Sequence, residues 1–135
     1  MDLTKALSIT AAGMAAQTAR LRVIAENLAN QDSTGSSPGA DAYRRKTITF
    51  ENRMDSALGA STVRVKQIGK DNSEMPLHYD PSNPAANADG YVKLPNLNSF
   101  VEVMDMREAE RSYNANLSVM QATRTMLNRT IDLLK

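Results

Sequence analysis

The chain has no cysteine and no tryptophan among its 135 residues. Without cysteine it forms no disulfide and performs no thiol chemistry, an absence compatible with either side of a membrane. It has only two phenylalanines and four tyrosines, so leucine, isoleucine, valine and the eight methionines must supply most of the buried apolar surface. Methionine adapts to irregular contacts. The composition therefore fits both an ordinary core and a subunit that meets several different partners.

A strong charge of one sign is also missing. The formal net charge is +1 with 23% charged residues, so no strong field attracts DNA, an acidic lipid surface or another polyanion. No apolar run reaches the roughly 18 to 20 residues of a membrane span. The N-terminus lacks the basic flank and apolar core of a secretion signal. We therefore expect no nucleic-acid partner, no direct membrane insertion and no cleaved signal peptide.

Helix-breaking residues are nearly absent from both ends of the chain. All five prolines and five of the six glycines lie between residues 35 and 95. Both ends carry apolar residues at seven-residue spacing, which is typical of helices that pack along one face. The sequence predicts a mainly α fold with long N- and C-terminal helices paired as a coiled coil. The expected divisions are an axial helix over 1–33, a polar insert over 34–97 and an axial helix over 98–135.

The insert is predicted to contain a short β-hairpin and extended loops. Segments 43–50 and 62–68 alternate apolar and polar residues, which indicates two short strands that pair. Segment 75–98 is dense in proline, asparagine and aspartate, so we expect extended chain and turns there. The second helix should start at Asn98 or Ser99, with Glu102 at capping-box spacing from Ser99.

The heptad-spaced apolar residues are the predicted packing and assembly positions. They are Leu7, Met14, Leu21, Ile24 and Leu28 on the first helix and Tyr113, Leu117, Met120, Leu127, Ile131 and Leu134 on the second. Only Arg124 interrupts the second series. A further stripe of Val119, Met126 and Leu133 makes this face wider than one partner helix covers, so neighbouring subunits are expected to cover the rest. Gly13 costs a helix about 1 kcal/mol relative to alanine, which indicates close approach of a second backbone.

No group of residues indicates catalysis, a cofactor or a metal. His78 is the only histidine and has no cysteine or second histidine to join it. The stretch 80–90 is rich in aspartate and asparagine, but its prolines break the pattern of a calcium loop, and turns capped by these side chains explain it better. The sequence shows no nucleophile motif or phosphate-binding glycine loop. We therefore predict a protein that is not an enzyme.

Charged clusters have ordinary explanations at this level. The basic triplet 44–46 is too small to bind nucleic acid, and we expect it at a solvated edge or against an acidic neighbouring subunit. The carboxylates of the second helix, between 102 and 110, are expected to pair on the helix surface with Arg107 and Arg111.

The end of the first predicted helix has a specific pattern. Gly13 is followed, after nine residues, by Val-Ile-Ala-Glu-Asn-Leu-Ala-Asn-Gln-Asp-Ser over 23–33. This string resembles the N-terminal signature of bacterial flagellar basal-body rod and hook proteins. The matching motif residues are Gly13, Asn27, Leu28, Ala29, Asn30, Asp32 and Ser33. Asn27 and Asn30 are expected to bond backbone groups at the helix end.

Further blocks, at 43–47, 79–96 and 111–116, also resemble this family. Arg107 and Glu108 depart from it, since the family has an apolar and a small residue there. The resemblance implies a structural subunit of the flagellar basal-body rod, which crosses the periplasm and transmits torque. Its implied partners are other rod proteins, copies of itself and the flagellar type III export apparatus.

The residues alone leave one alternative function open and disfavour a second. A helical-hairpin adaptor or secretion chaperone would bind one partner helix in its groove. A small nucleic-acid-binding hairpin would use the triplet 44–46 and bind in a salt-sensitive way.

Overall fold

The computed structural model describes residues 2–133. Within this range the chain forms two long helices and four strands. In chain order the elements are α1 (Leu3–Ala29), β1 (Lys46–Asp55), β2 (Ala60–Lys70), β3 (Leu77–Tyr79), β4 (Tyr91–Lys93) and α2 (Ser99–Asp132). The two predicted terminal helices and the predicted hairpin are therefore confirmed. Neither helix has an apolar stretch long enough to cross a lipid bilayer within this described part of the chain.

Helix α1 begins with an aspartate cap and ends at the predicted place. The Asp2 carboxylate accepts hydrogen bonds from the backbone N–H groups of Thr4 (3.1 Å) and Lys5 (3.3 Å), which satisfies donors left open at a helix start. The hydroxyl of Thr4 is the main reason that the pKa of Asp2 lies below its ordinary value. The helix ends at Ala29, one residue before the predicted end at Asn30.

Helix α2 is capped by Asn98, one of the two predicted candidates. The Asn98 side-chain oxygen accepts hydrogen bonds from the N–H groups of Phe100 (2.9 Å) and Val101 (3.3 Å). The predicted capping box between Ser99 and Glu102 is wrong. Ser99 bonds Gln31, and Glu102 is fully buried against other residues. With Asn98 already bonding the first N–H groups, Glu102 is not needed as a cap.

Strands β1 and β2 form a two-stranded sheet. The connection between them is tight, because Asp55 accepts hydrogen bonds from the N–H groups of Ala57 and Leu58 through its carboxylate and from Gly59 through its carbonyl. Gly59 has φ +60°, which favours glycine. The strands have 10 and 11 residues and continue beyond their predicted ends through polar, exposed residues. The predicted start of the first strand at Tyr43 is wrong, because β1 begins at Lys46.

Strands β3 and β4 were not predicted. They pair antiparallel, with Tyr79 opposite Tyr91, and the two rings meet edge-on with centroids 5.3 Å apart. The expected turns lie between them: the side-chain oxygens of Asp80, Asn83 and Asn87 accept bonds from nearby backbone N–H groups. Strands of three residues leave no alternation that sequence reading can detect, so only the turns were foreseen.

The chain divides into two compact units. The hairpin unit consists of Met1–Leu21, Ile48–Gln67 and Arg107–Lys135, and the loop unit of Arg22–Thr47 and Ile68–Met106. Each helix contributes residues to both. The buried residues of the hairpin unit include Thr10, Ala16, Thr62, Ala109 and Thr123, and those of the loop unit include Val23, Ile24, Asn27, Ala42, Ala85, Val92 and Glu102.

Candidate functional site

In the hairpin unit, the helices approach each other through small side chains. Gly13 lies against Asn116, and a Cβ atom at Gly13 would be only 3.0 Å from the Asn116 amide. On α2, Ala109 is fully buried and Thr123 is 6% exposed, one heptad on either side of Asn116. The close packing predicted at Gly13 is confirmed for its contact with the Asn116 side chain. The most buried line of this part of α2 is therefore made of small and polar residues.

The larger predicted packing residues are less buried than this line. In the hairpin unit Leu7, Met14, Leu21, Tyr113, Leu117, Met120 and Leu127 are half-buried, and Ile131 is 45% exposed. In the loop unit Ile24 is buried and Leu28 is half-buried. Leu134 lies outside the described residues. Leu7, Met120 and Leu127 together line an open recess, and the role of the whole set in assembly stays a prediction.

The additional stripe on α2 faces solvent. Val119 is 50% exposed, Met126 57% and Leu133 87%. The prediction that this helix has more apolar surface than the chain itself covers is thus confirmed for the described residues. Apolar side chains in a line along a helix form a surface that the helix of another molecule can cover.

In the loop unit, the motif residue Asn27 lies at the centre of a buried polar cluster. Its side-chain oxygen accepts hydrogen bonds from the Tyr43 hydroxyl and the Lys46 backbone N–H, both at 2.9 Å. Its side-chain nitrogen donates to the Lys46 carbonyl (2.9 Å) and to the Glu102 carboxylate (3.1 Å). Asn27 therefore joins the end of α1, the start of β1 and the start of α2.

The same cluster contains a buried ion pair. The guanidinium of Arg45 donates to the carboxylate of Glu102, whose side chain is 1% exposed, and lies 3.7 Å from that of Asp105. The backbone N–H of Arg45 donates to the Asn96 side chain at 2.9 Å. Burying a carboxylate is costly unless it is paired and hydrogen-bonded. Glu102 meets both conditions, because Arg45 and Asn27 bond it from two sides.

The basic triplet was placed wrongly by sequence reading. Arg44 pairs with Asp41 at 3.0 Å and Lys46 with Glu26 at 2.6 Å, and Arg45 pairs as described above. All three side chains find acidic partners in the same chain. Two of those partners are far away in sequence, so residue spacing gave no sign of them.

The expected pairing of carboxylates on the surface of α2 is also wrong at two positions. Glu102 is buried in the loop unit instead of facing Arg107 or Arg111. In the hairpin unit Glu108 lies 3.7 Å from Arg20 of α1. The sequence does contain an indication that Glu102 is buried. Glu102 belongs to a line of small and polar residues at seven-residue spacing that continues through Ala109.

Ion pairing and burial shift the pKa values of three groups in this part of the loop unit. The hydrogen bond and charge of Lys46 hold the pKa of Glu26 below its ordinary value, and Glu26 in turn raises the pKa of Lys46. Burial is the main reason that the pKa of Tyr43 is raised. At neutral pH Tyr43 therefore keeps its hydroxyl proton and donates a hydrogen bond to the side-chain oxygen of Asn27.

The other motif residues stabilise the end of α1. The Asn30 side chain donates to the Glu26 carbonyl at 2.8 Å, and the Ser33 hydroxyl donates to the Asn30 carbonyl at 2.9 Å. Asp32 and Ala29 are exposed. The expected bonding of the two asparagines to backbone groups is confirmed.

The structure gives little basis for chemistry at a site. Among residues 2–133, no three histidine, cysteine or acidic side chains come together as a metal would require. His78 is exposed on β3. The arrangement is suited to holding helices in place and to offering apolar surface.

Comparison with known proteins places this geometry in context. A family model described as flagellar basal body rod FlgEFG protein C-terminal matches residues 88–133. The chain is 50% identical over 133 residues to the flagellar basal-body rod protein FlgC of Agrobacterium fabrum, covering 98% of this chain and 96% of that protein. Identity to the FlgC proteins of Salmonella typhimurium and Bacillus subtilis is 39% over 135 residues and 34% over 148 residues. Each of these two matches covers 98% of this chain. They cover 98% of the Salmonella typhimurium protein and 99% of the Bacillus subtilis protein.

Proposed function

This chain belongs to the FlgC family of flagellar basal-body rod proteins, and from that premise we propose how it assembles. It is a structural subunit of the rod. The alternative of an adaptor or chaperone is not favoured, because the chain matches relatives named as rod proteins along almost their full length. The observation that carries the assembly proposal is the solvent-exposed apolar stripe on α2. A rod subunit is covered by its neighbours, so such a stripe becomes buried when the rod forms.

In the proposed assembly, the terminal helices have the axial role and pair as a coiled coil. Residues 1–33 and 98–135 form the axial part and 34–97 the insert. The small residues Gly13, Ala109 and Thr123 support close pairing of the helices. The predicted packing residues that are half-buried or exposed in the hairpin unit, together with Val119 and Met126, are then directed to neighbouring subunits. Torque passes through these side-chain contacts, with no catalytic step.

The motif residues have a different role in this proposal. Asn27, Asn30 and Ser33 fix the course of the chain as it leaves α1, and Glu102 attaches the start of α2 to the same place. The axial helices and the insert are thereby held in a defined arrangement within the loop unit. Other rod proteins and copies of this chain are the assembly partners, and the flagellar type III apparatus is the proposed export route to the rod.

Substitution of packing residues tests this function. We expect Leu21→Asp and Leu127→Asp each to prevent rod assembly and swimming, because each places a charge in a contact that must exclude water. The measurement is swimming and the recovery of rods from a bacterium whose own FlgC protein is replaced by the variant. Thr125→Asp is the matched control, since it adds the same charge at an exposed position of α2.

The control should assemble and swim. Immunoblots of cell and exported fractions separate loss of assembly from loss of the protein. Normal swimming of both leucine variants would contradict the proposal.

A further inference from the structure

One line along α2 in the hairpin unit combines apolar residues with two opposite charges. Glu110, Leu117, Arg124 and Ile131 recur at seven-residue spacing and therefore lie along one side of the helix. Glu110 and Arg124 are exposed, Leu117 is half-buried and Ile131 is 45% exposed. The line is thus accessible to another molecule.

The two charges on this line have no partner in the described chain. Neither Glu110 nor Arg124 makes an ion pair or a side-chain hydrogen bond within residues 2–133, whereas Glu108 and Arg45 do. Arg124 borders the recess lined by Leu7 and Leu127. At a rise of 1.5 Å per residue, Glu110 and Arg124 are about 21 Å apart on one helix and cannot pair with each other.

We propose that α2 packs parallel to the α2 helix of a second copy, displaced by two heptads, so that Glu110 of one copy pairs with Arg124 of the next. This inference rests on the proposed function, because it identifies a second copy of this chain as the partner at this part of the axial helix. The ion pair sets the axial displacement between the copies, in the way that polar residues in a heptad line fix coiled-coil register.

Comparison of the possible displacements favours this one. With no displacement, Glu110 faces Glu110 and Arg124 faces Arg124, so like charges repel. With a displacement of one heptad, Glu110 and Arg124 face apolar residues, among them Leu117 and Ile131, and lose water without gaining a partner. A displacement of two heptads brings Glu110 to Arg124 and Leu117 to Ile131. Among these three, only this register pairs opposite charges and also pairs apolar residues.

The direction of packing follows from the need to propagate. An antiparallel pair centred on Leu117 would satisfy both charges of both copies and close as a dimer. A parallel, displaced pair leaves Arg124 of one copy and Glu110 of the other available for further copies. A subunit of a polar rod requires this second kind of contact, which is head-to-tail and repeats.

Cross-linking in the assembled rod tests the register. The chain has no cysteine, so introduced thiols are unique. A disulfide needs Cα atoms within about 7 Å of each other. The axes of packed helices lie about 8–10 Å apart, so a short bifunctional maleimide is the better cross-linker here. We expect rods with Glu110→Cys plus Arg124→Cys to give dimers and higher multimers of this chain. Each single variant and the control pair Glu110→Cys plus Thr125→Cys should remain monomeric on denaturing gels.

Charge reversal provides the second measurement. We expect Glu110→Arg or Arg124→Glu alone to lower the number of assembled rods severalfold, and the combined reversal to restore it, because the pair is re-formed with opposite polarity. Co-expression of the two single variants should also restore assembly, which an intrachain effect would not do. Failure of the combined reversal, a cross-linked product that stops at a dimer, or no cross-link in intact rods would overturn the proposal.

A failure of this inference can be distinguished from a failure of the proposed function. If Leu127→Asp blocks assembly but the combined charge reversal does not restore it, the chain is a rod subunit whose α2 line meets another partner.

Discussion

The Asn27 side chain uses the full hydrogen-bonding capacity of its amide group. Its oxygen accepts two hydrogen bonds and its nitrogen donates two, to groups from three segments of the loop unit. A neutral amide is needed because one partner is the Glu102 carboxylate, which is fully buried. Only asparagine has two donors and two acceptor sites on a side chain of this length. The motif position is therefore explained by its partners.

Asn27→Asp should be far more destabilising than Asn30→Asp. The first change removes both donors and places a second carboxylate beside Glu102, and breaking a buried charged arrangement costs about 3 kcal/mol or more. Asn30 makes one side-chain bond to a backbone carbonyl of its own helix, so its change should cost about 1 kcal/mol. The measurement is the free energy of unfolding in urea, followed by circular dichroism. Equal costs would show that the buried cluster does not control stability.

Sequence reading found some of these residues but not their partners. Asn27 and Asn30 were identified through the family motif, and bonding to backbone groups was expected. The spacing of Glu102 from Ser99 predicts a capping residue, and this prediction is wrong. Its real partners, Asn27 and Arg45, lie far away in the sequence. Local spacing does not contain that information, although the heptad line of small and polar residues beginning at Glu102 does mark the buried side of α2.

At the scale of elements, the distribution of helix breakers predicted the two helices, and alternating residues predicted the hairpin. The end of α1 followed from the loop composition after Asn30, and the start of α2 from its capping residue. The short strands β3 and β4 were missed because their stability depends on pairing between segments and not on local pattern. The strands of the hairpin were predicted too short for the same reason.

The start of α2 allows a direct test of which residue caps it. Asn98→Ala should lower the free energy of unfolding by about 1 kcal/mol, because the N–H groups of Phe100 and Val101 lose their acceptor. Ser99→Ala is the matched control on the neighbouring residue and should have a clearly smaller effect, because its hydroxyl bonds the exposed Gln31 side chain. Thermal unfolding of both variants checks this. A larger loss for Ser99→Ala would restore the capping-box interpretation.

At the scale of the whole molecule, the chain separates two kinds of surface on its helices. In the hairpin unit, small residues such as Gly13 and Ala109 face the interior, while Val119 and Met126 remain exposed. Sequence reading identified the wide apolar face of α2. The assembly role of the large heptad-spaced residues stays a prediction, since heptad spacing alone does not show what covers each line of a helix. In the proposed function, neighbouring rod subunits cover this exposed face.

The most direct test is a cryo-electron microscopy map of basal bodies that contain this chain as their FlgC subunit. We expect side chains of neighbouring subunits to cover Val119, Met126 and the Leu117–Ile131 line of α2. We also expect adjacent copies of α2, where they meet, to be displaced by about 21 Å. A map in which these apolar residues of the assembled subunit still face solvent would show that α2 is not an assembly surface.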